Sequence, residues 1–414
     1  MNRTFLIFLI FFLLFLFEWY SFQAVKTLTA HFSATWKKAF HISYLSLSLI
    51  MLCAFLYYHF GNPDLLGKNA RMFLLFIVFM NFIAKLFMVL FLFIDDIQRG
   101  LRWVYHRFSN PESKMAKEGI SRSEFLAKTG IILAAVPLVS MSWGIVSGAH
   151  DYRVRRIKLP VKNLPRGLEG LRIGQISDIH SGSFWNKRAV IGGVEMLQAE
   201  KPDLLFFTGD LVNNRATEMQ DWGTVFSKMQ APLGVYSVFG NHDYGDYVNW
   251  ETQAAKQKNS KDLAKIQKGM GWDLLSNESR VLEIDGVKLG IIGVENWSNR
   301  GRFPKYGNLQ KAALNHEDNA FNILLSHDPS HWQAEVVNYP KIDLTLSGHT
   351  HGMQFGVEVP GFKWSPVQYI YKEWAGLYQS NQNYLYVNRG FGYIGYPGRI
   401  GIPPEITVIT LERV

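Results

Sequence analysis

A bundle of membrane-spanning helices followed by an α/β domain is the fold class that this 414-residue sequence predicts. Three observations lead there. Long apolar runs crowd the first 150 residues, and short apolar runs alternate with polar loops and helix-length segments after residue 170. A chain of this length also divides into two or three units rather than one. With 48% hydrophobic and 19% charged residues and a single cysteine, Cys53, the composition excludes disorder and a disulfide scaffold.

The first apolar run, Thr4–Phe17, reaches spanning length only by continuing past Glu18 to Phe22. It reads as an anchor rather than a cleaved signal peptide, because no small-residue cleavage site follows and further spans do. Phe40–Phe60 and Met72–Ile94 are long enough to cross a hydrocarbon core, and Gly130–Ser147 is a shorter fourth candidate. Lys85 lies inside the third run, where a charge by default suggests function, while the plainer reading is that it pairs with a carboxylate such as Glu18 or snorkels to the boundary. Helices and a basic loop therefore occupy 1–128, a last spanning or signal-anchor helix 129–150, and the α/β domain 151–414.

The net charge of +9 is uneven. Residues 1–150 carry 14 Lys/Arg against 7 Asp/Glu, whereas the remainder carries 29 against 27. The basicity thus bears on topology, and nucleic acid is not an expected partner of the C-terminal half. Seven basic residues between Asp95 and Lys128, including Lys114, Lys117 and Arg122, mark a cytoplasmic loop, and Lys26, Lys37 and Lys38 share its side. Four spans then put the C-terminal domain outside, although Arg153, Arg155, Arg156 and Lys158 pull the other way. Ser121–Lys128 before the fourth run resembles a degraded twin-arginine export signal, with Ser123 in place of the second arginine. The expected location is the bacterial cytoplasmic membrane with the domain on its outer face.

Eight strands are expected in the C-terminal domain: Leu171–Ile176, Asp203–Phe207, Gly234–Phe239, Lys288–Ile292, Phe321–Leu325, Ile342–Leu346, Tyr384–Val387 and Ile406–Leu411. Arg188–Glu200 and Thr217–Met229 have helical length and periodicity. Strand-helix-strand order implies α/β layers, in which polar residues just after a strand build the sites. Five strand ends deliver such residues: Asp178 and His180; Gly209 and Asp210; Gly240, Asn241, His242 and Asp243; His327; and Gly348, His349, His351 and Gly352. Taken singly, Asp-x-His and Gly-Asp read as ordinary turns, whereas the four polar or small residues of Gly240–Asp243 have little to pack against after an apolar strand. All five in order are not ordinary turns. Their nitrogen and oxygen donors suit Mn, Fe, Co or Zn, and the absence of thiols in this half rules out a cysteine-rich zinc site. Seven candidate ligands exceed one ion's needs, so two divalent ions sharing a carboxylate is the economical reading.

Asp178-x-His180, Gly209-Asp210, Gly240-Asn241-His242-Asp243, His327 and Gly348-His349-x-His351 together resemble the signature of the calcineurin-like metallophosphoesterases, and within them the membrane-anchored YkuE-like branch. The likeness covers about residues 150–414 and includes Val387–Gly392 and Arg399–Ile406. It implies a two-sheet sandwich flanked by helices. It also implies one ion on Asp178, His180 and His351, a second on Asn241, His327 and His349, and Asp210 bridging. In such a centre two divalent ions clamp a phosphate and activate a water for in-line attack. His242 is then the general acid for the leaving group, oriented by Asp243.

The expected substrate is a phosphorylated small molecule or lipid, with membrane lipids as partners. The aromatic and basic stretch Phe355–Tyr378 suits an interface, unless its rings pack into the core. Membrane-anchored members that resemble UDP-2,3-diacylglucosamine pyrophosphatases suggest a lipid-linked pyrophosphate, although that substrate is cytoplasmic. The competing class is a non-catalytic membrane receptor or scaffold, whose descent would show lost ligands. Here every ligand position is filled.

Overall fold

The computed structural model describes residues 3–109, 123–301, 303, 305–314, 316, 318–339 and 341–414. Lys114, Lys117, Ser121 and Arg122 of the basic loop lie outside these. The chain divides into two compact units, 1–143 and 144–414.

Among the described residues, four helices long and apolar enough to cross a membrane occupy the N-terminal part: α1 (Arg3–Leu28), α2 (Ala34–Phe60), α3 (Gly67–Ser109) and α4 (Glu124–Val146). α3 runs on past Ile94 as a polar extension, in which Asp96 pairs with Arg99 at 2.7 Å. The 129 boundary expected for α4 is moved by its cap. Asp95 accepts the Ser123 N–H at 3.2 Å, Ser123 Oγ accepts the Leu126 N–H at 3.3 Å, and Glu124 pairs with Lys128 at 2.7 Å. These satisfy the first turn and start the helix at Glu124. Lys85 meets the Glu18 carboxylate, which also receives Ser48 Oγ and, at 2.9 Å, the Asn81 amide. Both charged side chains are buried.

The C-terminal unit is a sandwich of two six-stranded mixed sheets. Sheet A runs β1 (Arg153–Val161), β14 (Glu405–Arg413), β2 (Arg172–Ile176), β3 (Leu204–Phe207), β4 (Val235–Ser237), β5 (Trp272–Leu274). Sheet B runs β12 (Gly376–Ser380), β13 (Asn383–Val387), β9 (Leu344–Ser347), β8 (Phe321–Leu325), β7 (Val287–Gly293), β6 (Glu278–Ile284). A separate hairpin pairs β10 (Val357–Val359) with β11 (Phe362–Trp364). Alternation along each strand builds the layers. Leu204 and Phe206 of β3 join Phe321, Ile323 and Leu325 of β8 between the sheets. Leu205 and Phe207 face outward, onto Val190, Val194 and Leu197 of α5 (Lys187–Ala199) and Leu263 of α6 (Gln253–Gly269). Leu324 joins Trp332 and Val336 on the other side.

The eight expected strands are the interior ones. The four edge strands β1, β5, β6 and β12 were not expected. Interior strands are covered on both faces and read as unbroken apolar runs, whereas an edge strand carries solvated residues that dilute the pattern. Thr217–Met229 is not one helix: a short 3₁₀ turn, Ala216–Met219, is followed by a single turn, Gly223–Phe226. Buried residues run at three-residue spacing from Ala216 through Met219 to Trp222, as in the tighter helix, then at α spacing through Val225, Phe226 and Met229, and Gly223 interrupts the segment between.

Candidate metal centre

Strand register decides where the polar loops go. Ile176 pairs with Phe207 and Phe207 with Ser237 in sheet A, while Gly293 pairs with Leu325 and Leu325 with Leu346 in sheet B. The carboxyl ends within each parallel run are therefore level, and the loops after β2, β3, β4, β8 and β9 converge, as sites in open α/β sheets do. Backbone bonds lock the loops together. The Asp178 N–H donates to the Gly209 carbonyl at 2.8 Å, that of His180 to Asp210 at 3.1 Å, and that of Gly348 to His327 at 2.9 Å.

Asp178, His180, Asp210, His349 and His351 all have positive φ, from 48° to 70°. Left-handed backbone costs roughly 1–2 kcal/mol for each residue with a Cβ. Five of the seven predicted ligands carry that strain, which folds tolerate where a site must be shaped. Gly209, at φ 100°, is needed for a further reason: a Cβ there would stand 2.5 Å from Gly240 N and 2.8 Å from His327 Nδ1.

Ligand atoms of Asp178, His180 and His351 lie within 4.8 Å of one another, as do those of Asp210, His327 and His349. His351 Nε2 is 3.1 Å from both His180 Nε2 and Asp178 Oδ1. His327 Nε2 is 3.2 Å from Asp210 Oδ2 and 3.3 Å from His349 Nδ1. Asp210 Oδ2 is also 3.5 Å from His180 Nε2, so one carboxylate faces both groups. Asn241 Oδ1 stands 2.8 Å from His349 Nδ1, and its amide donates to Tyr247 Oη at 2.9 Å.

This donor set fits divalent cations. Bonds of about 2.1 Å to nitrogen or oxygen separate adjacent donors by about 3.0 Å in an octahedron and about 3.4 Å in a tetrahedron. Separations of 3.1–3.3 Å fall inside that range. Imidazole nitrogens that face each other so closely also need a proton or a metal ion between them. In the metal-free protein a ring N–H can supply the proton, and at His327 burial would lower the pKa but Asp210 and Asp178 raise it to about 10. Burial likewise raises Asp178 and Asp210, yet His351 holds the first, and His327 the second, well below the usual carboxylate range. Burial lowers His180 and His349. A second layer orients the rings. The His327 Nδ1–H donates to the Thr208 carbonyl at 2.7 Å. His349 Nε2 lies 2.9 Å from Tyr371 Oη, which donates to Asp328 at 3.2 Å.

Residues 171–353 match the calcineurin-like phosphoesterase family model, and residues 2–149 match the model described as a probable calcineurin-like phosphoesterase transmembrane domain. The chain belongs to the calcineurin-like phosphoesterases. It is a metal-dependent phosphohydrolase carrying a four-helix membrane part. The metallophosphoesterase YkuE of Bacillus subtilis is 29% identical over 300 residues, 71% of this chain and 98% of that protein. A zebrafish (Danio rerio) transmembrane protein with metallophosphoesterase domain is 28% identical over 310 residues, 73% of this chain and 66% of that one. The UDP-2,3-diacylglucosamine pyrophosphatase LpxG of Chlamydia trachomatis is 27% identical over 329 residues, 67% of this chain and 94% of that protein.

In the phosphoesterase site, His242 borders a cavity of about 220 Å³ that His180, Asp210, Asn241, His349 and His351 also line. Its backbone N–H donates to Asp210 Oδ1 at 2.8 Å. Its Nδ1 lies 2.7 Å from the Asn213 carbonyl, which fixes the ring and leaves Nε2 without that partner. The expectation that Asp243 orients His242 is thereby corrected. Asp243 instead accepts four backbone N–H groups: Leu211 at 2.8 Å and Val212 at 3.3 Å on Oδ1, Asp210 and Gly240 at 2.9 Å on Oδ2. Burial and the Asp210 carboxylate push its pKa up, while the four donors favour the ionised form. Its task is to tie the Asp210 loop to the Asn241 loop.

Several participants are given no site role by the sequence. Asn213 acts through its carbonyl, which any residue has. Tyr371 and Asp328 work as a pair distant in sequence. Arg399, fully buried, donates to the carbonyls of Gly392 at 2.6 Å, Arg389 at 2.8 Å and Gly390 at 3.1 Å. It so braces the segment whose Phe391 and Gly392 N–H groups hold Ser177 and Asp178 at 2.7 and 2.8 Å. The signal available was the segment itself, Val387–Gly392 with Arg399–Ile406.

Proposed function

We propose that the phosphoesterase hydrolyses a phosphate-ester or pyrophosphate bond of a lipid-linked substrate at the outer face of a bacterial cytoplasmic membrane. One observation carries the reading. The cavity combines a polar floor with an apolar wall of Phe303, Met353, Val367, Ile370 and Ile394. A phosphate wants the first and a lipid portion the second. The relatives named UDP-2,3-diacylglucosamine pyrophosphatase act, by that name, on a substrate of this chemical kind.

Asp178, His180 and His351 would hold one divalent ion and Asn241, His327 and His349 the other, with Asp210 shared. Bound divalent ions supply Lewis-acid polarisation of a phosphoryl oxygen and activation of water. The chain's own residues do the rest. The Asn213 carbonyl keeps the His242 proton on Nδ1 in the neutral ring, so protonation adds a donor at Nε2 that can give its proton to the leaving oxygen. Phe303, whose ring meets His349 edge-on at 4.8 Å, and Tyr371 screen the second group from bulk water.

The test is turnover by the purified full chain, with Mn and after chelation, on a diphospho-lipid, an alkyl phosphodiester and bis-p-nitrophenyl phosphate. Metal-dependent hydrolysis with the highest kcat/KM on the lipid-linked compound is expected. A preference for soluble phosphomonoesters would refute the substrate class. Protease accessibility of the domain in intact spheroplasts tests the side, and protection there would refute the outer face.

A further inference from the structure

The β10–β11 hairpin is inside out. Val357 pairs with Trp364, Glu358 with Lys363 and Val359 with Phe362. Residues directly opposite share a face, as do alternate residues along a strand. One face therefore carries Val357, Val359, Phe362 and Trp364, and the other carries Glu358 and Lys363. In a water-exposed hairpin the charged face should look outward. Here Glu358 is turned into the domain, and Lys363, itself exposed, bends its ammonium back onto it. The Glu358 carboxylate meets Arg155 at 2.7 Å and Arg389 at 2.8 Å, and the Lys363 ammonium reaches the Ala375 carbonyl and the rings of Trp374 and Tyr378. Three of the four apolar side chains are left uncovered, Val357, Val359 and Phe362 at 47%, 53% and 56% exposed, while Trp364 is half-buried. Phe355, Tyr369 and Ile370 extend the patch, with Tyr369 77% exposed. It is continuous with the active-site mouth, since Met353 and Ile370, both exposed, also line the cavity.

We infer that this hairpin face docks into the headgroup–acyl boundary of the bilayer and brings the mouth of the phosphoesterase cavity to the membrane surface. The inference rests on the reading of the site as one for lipid-linked phosphoesters. A bilayer is the occupant the chain itself supplies. The last membrane-spanning helix ends at Val146 and the first strand starts at Arg153. The six residues between them reach only about 20 Å when extended, so the domain cannot leave the membrane. Tyr369 and Trp364, with the Trp364 Nε1–H donating to Tyr369 Oη at 3.4 Å, are the amphipathic rings that settle at headgroup depth. Phe362, Val359 and Val357 are the residues that go deeper. Ion pairs from two different segments, at Arg155 and Arg389, fix the hairpin in this attitude, so the apolar face is presented ready-made.

The test uses the full chain in vesicles of phosphatidylethanolamine and phosphatidylglycerol. Cys53, the single cysteine, is replaced by serine, and an environment-sensitive fluorophore is attached through Phe362→Cys or, as a control on the exposed β6–β7 turn, Asp285→Cys. The label at position 362 is expected to shift to the blue and to be quenched several-fold by lipids brominated on their acyl chains, while the label at position 285 stays open to aqueous iodide. Iodide quenching at both sites overturns docking. So does a hairpin label that is shielded without bromine quenching and cross-links between copies, because the face then belongs to a protein partner. A second arm uses Val359→Asp with Phe362→Asp, neither of which lines the cavity. Losing one buried apolar side chain weakens docking of this face, though not the tether, roughly tenfold or more. Hydrolysis of a phosphodiester lipid embedded in the vesicles should fall by at least about that factor, with bis-p-nitrophenyl phosphate unaffected. Equal loss on both substrates overturns docking in favour of a role in shaping the site. Bromine quenching without hydrolysis of any lipid keeps the docking face and refutes only the substrate reading.

Discussion

Asp243→Asn separates two roles for a residue next to the proposed general acid. If Asp243 oriented His242, the amide would cost turnover and leave the metals in place. The hydrogen bonds say otherwise. Each carboxylate oxygen accepts two backbone N–H groups, at 2.8 and 3.3 Å on Oδ1 and 2.9 and 2.9 Å on Oδ2. Whichever oxygen becomes an NH₂ group, two buried N–H donors then face another donor. Hydrogen bonds to a charged group contribute about 1.5–3 kcal/mol each, so losing two costs roughly 3–6 kcal/mol. That is a large share of the roughly 5–15 kcal/mol that holds a domain folded. The loop would yield before the domain did, and the loop carries Asp210. We therefore expect Asp243→Asn to lose bound metal together with activity and to lower the thermal midpoint. Metal analysis of the purified full chain and a thermal scan read both. A variant with normal metal content, an unchanged midpoint and low turnover would refute the tie and restore the orienting role.

His242→Ala should keep its metals, because only its backbone N–H touches Asp210, and should lose about 10²–10⁴-fold on an alkyl phosphodiester but little on a p-nitrophenyl ester. Equal losses on the two, or loss of metal, would refute the proton-donor role. In metal-free protein the His327 pKa is raised to about 10, chiefly by Asp210 against the effect of burial, and a metal must displace that proton. Metal affinity should therefore rise with pH up to about 10, with proton release visible by calorimetry in buffers of different ionisation enthalpy. A pH-independent affinity would contradict it. Tyr371→Phe removes the hydroxyl between His349 and Asp328 and should weaken metal binding or activity about 10–100-fold, an effect absent if the hydroxyl is idle. In the membrane part, Lys85→Met strands the buried Glu18 carboxylate and should cost about 3–5 kcal/mol, whereas Lys85→Met with Glu18→Gln should recover most of it. Heat-challenge chromatography in detergent distinguishes additive losses from that rescue.

What the sequence disclosed and what it hid follow from one physical asymmetry. A strand covered on both faces, such as Leu204–Phe207, has no choice but to be apolar, so its run is continuous and the polar residue that ends it stands out. Asp178, Asp210, Asn241, His327 and His349 each follow such a run, and their gathering at the strand ends was readable at once. Side-chain direction was not readable, because it depends on backbone turns that residue names do not record. His242 and Asp243 are neighbours, yet one ring borders the cavity and the next carboxylate turns back onto four N–H groups. The β10–β11 hairpin carries the same lesson further. Its alternation of Val357, Glu358 and Val359 shows that two faces differ, but a period of two cannot say which face meets water. The usual assumption would bury the valines. Arg155 and Arg389, brought beside Glu358 from distant segments, and the Ala375 carbonyl that holds Lys363 reverse the hairpin. The fold thus commits two arginine ion pairs to keeping an apolar face uncovered, which makes sense for a surface whose solvent is lipid.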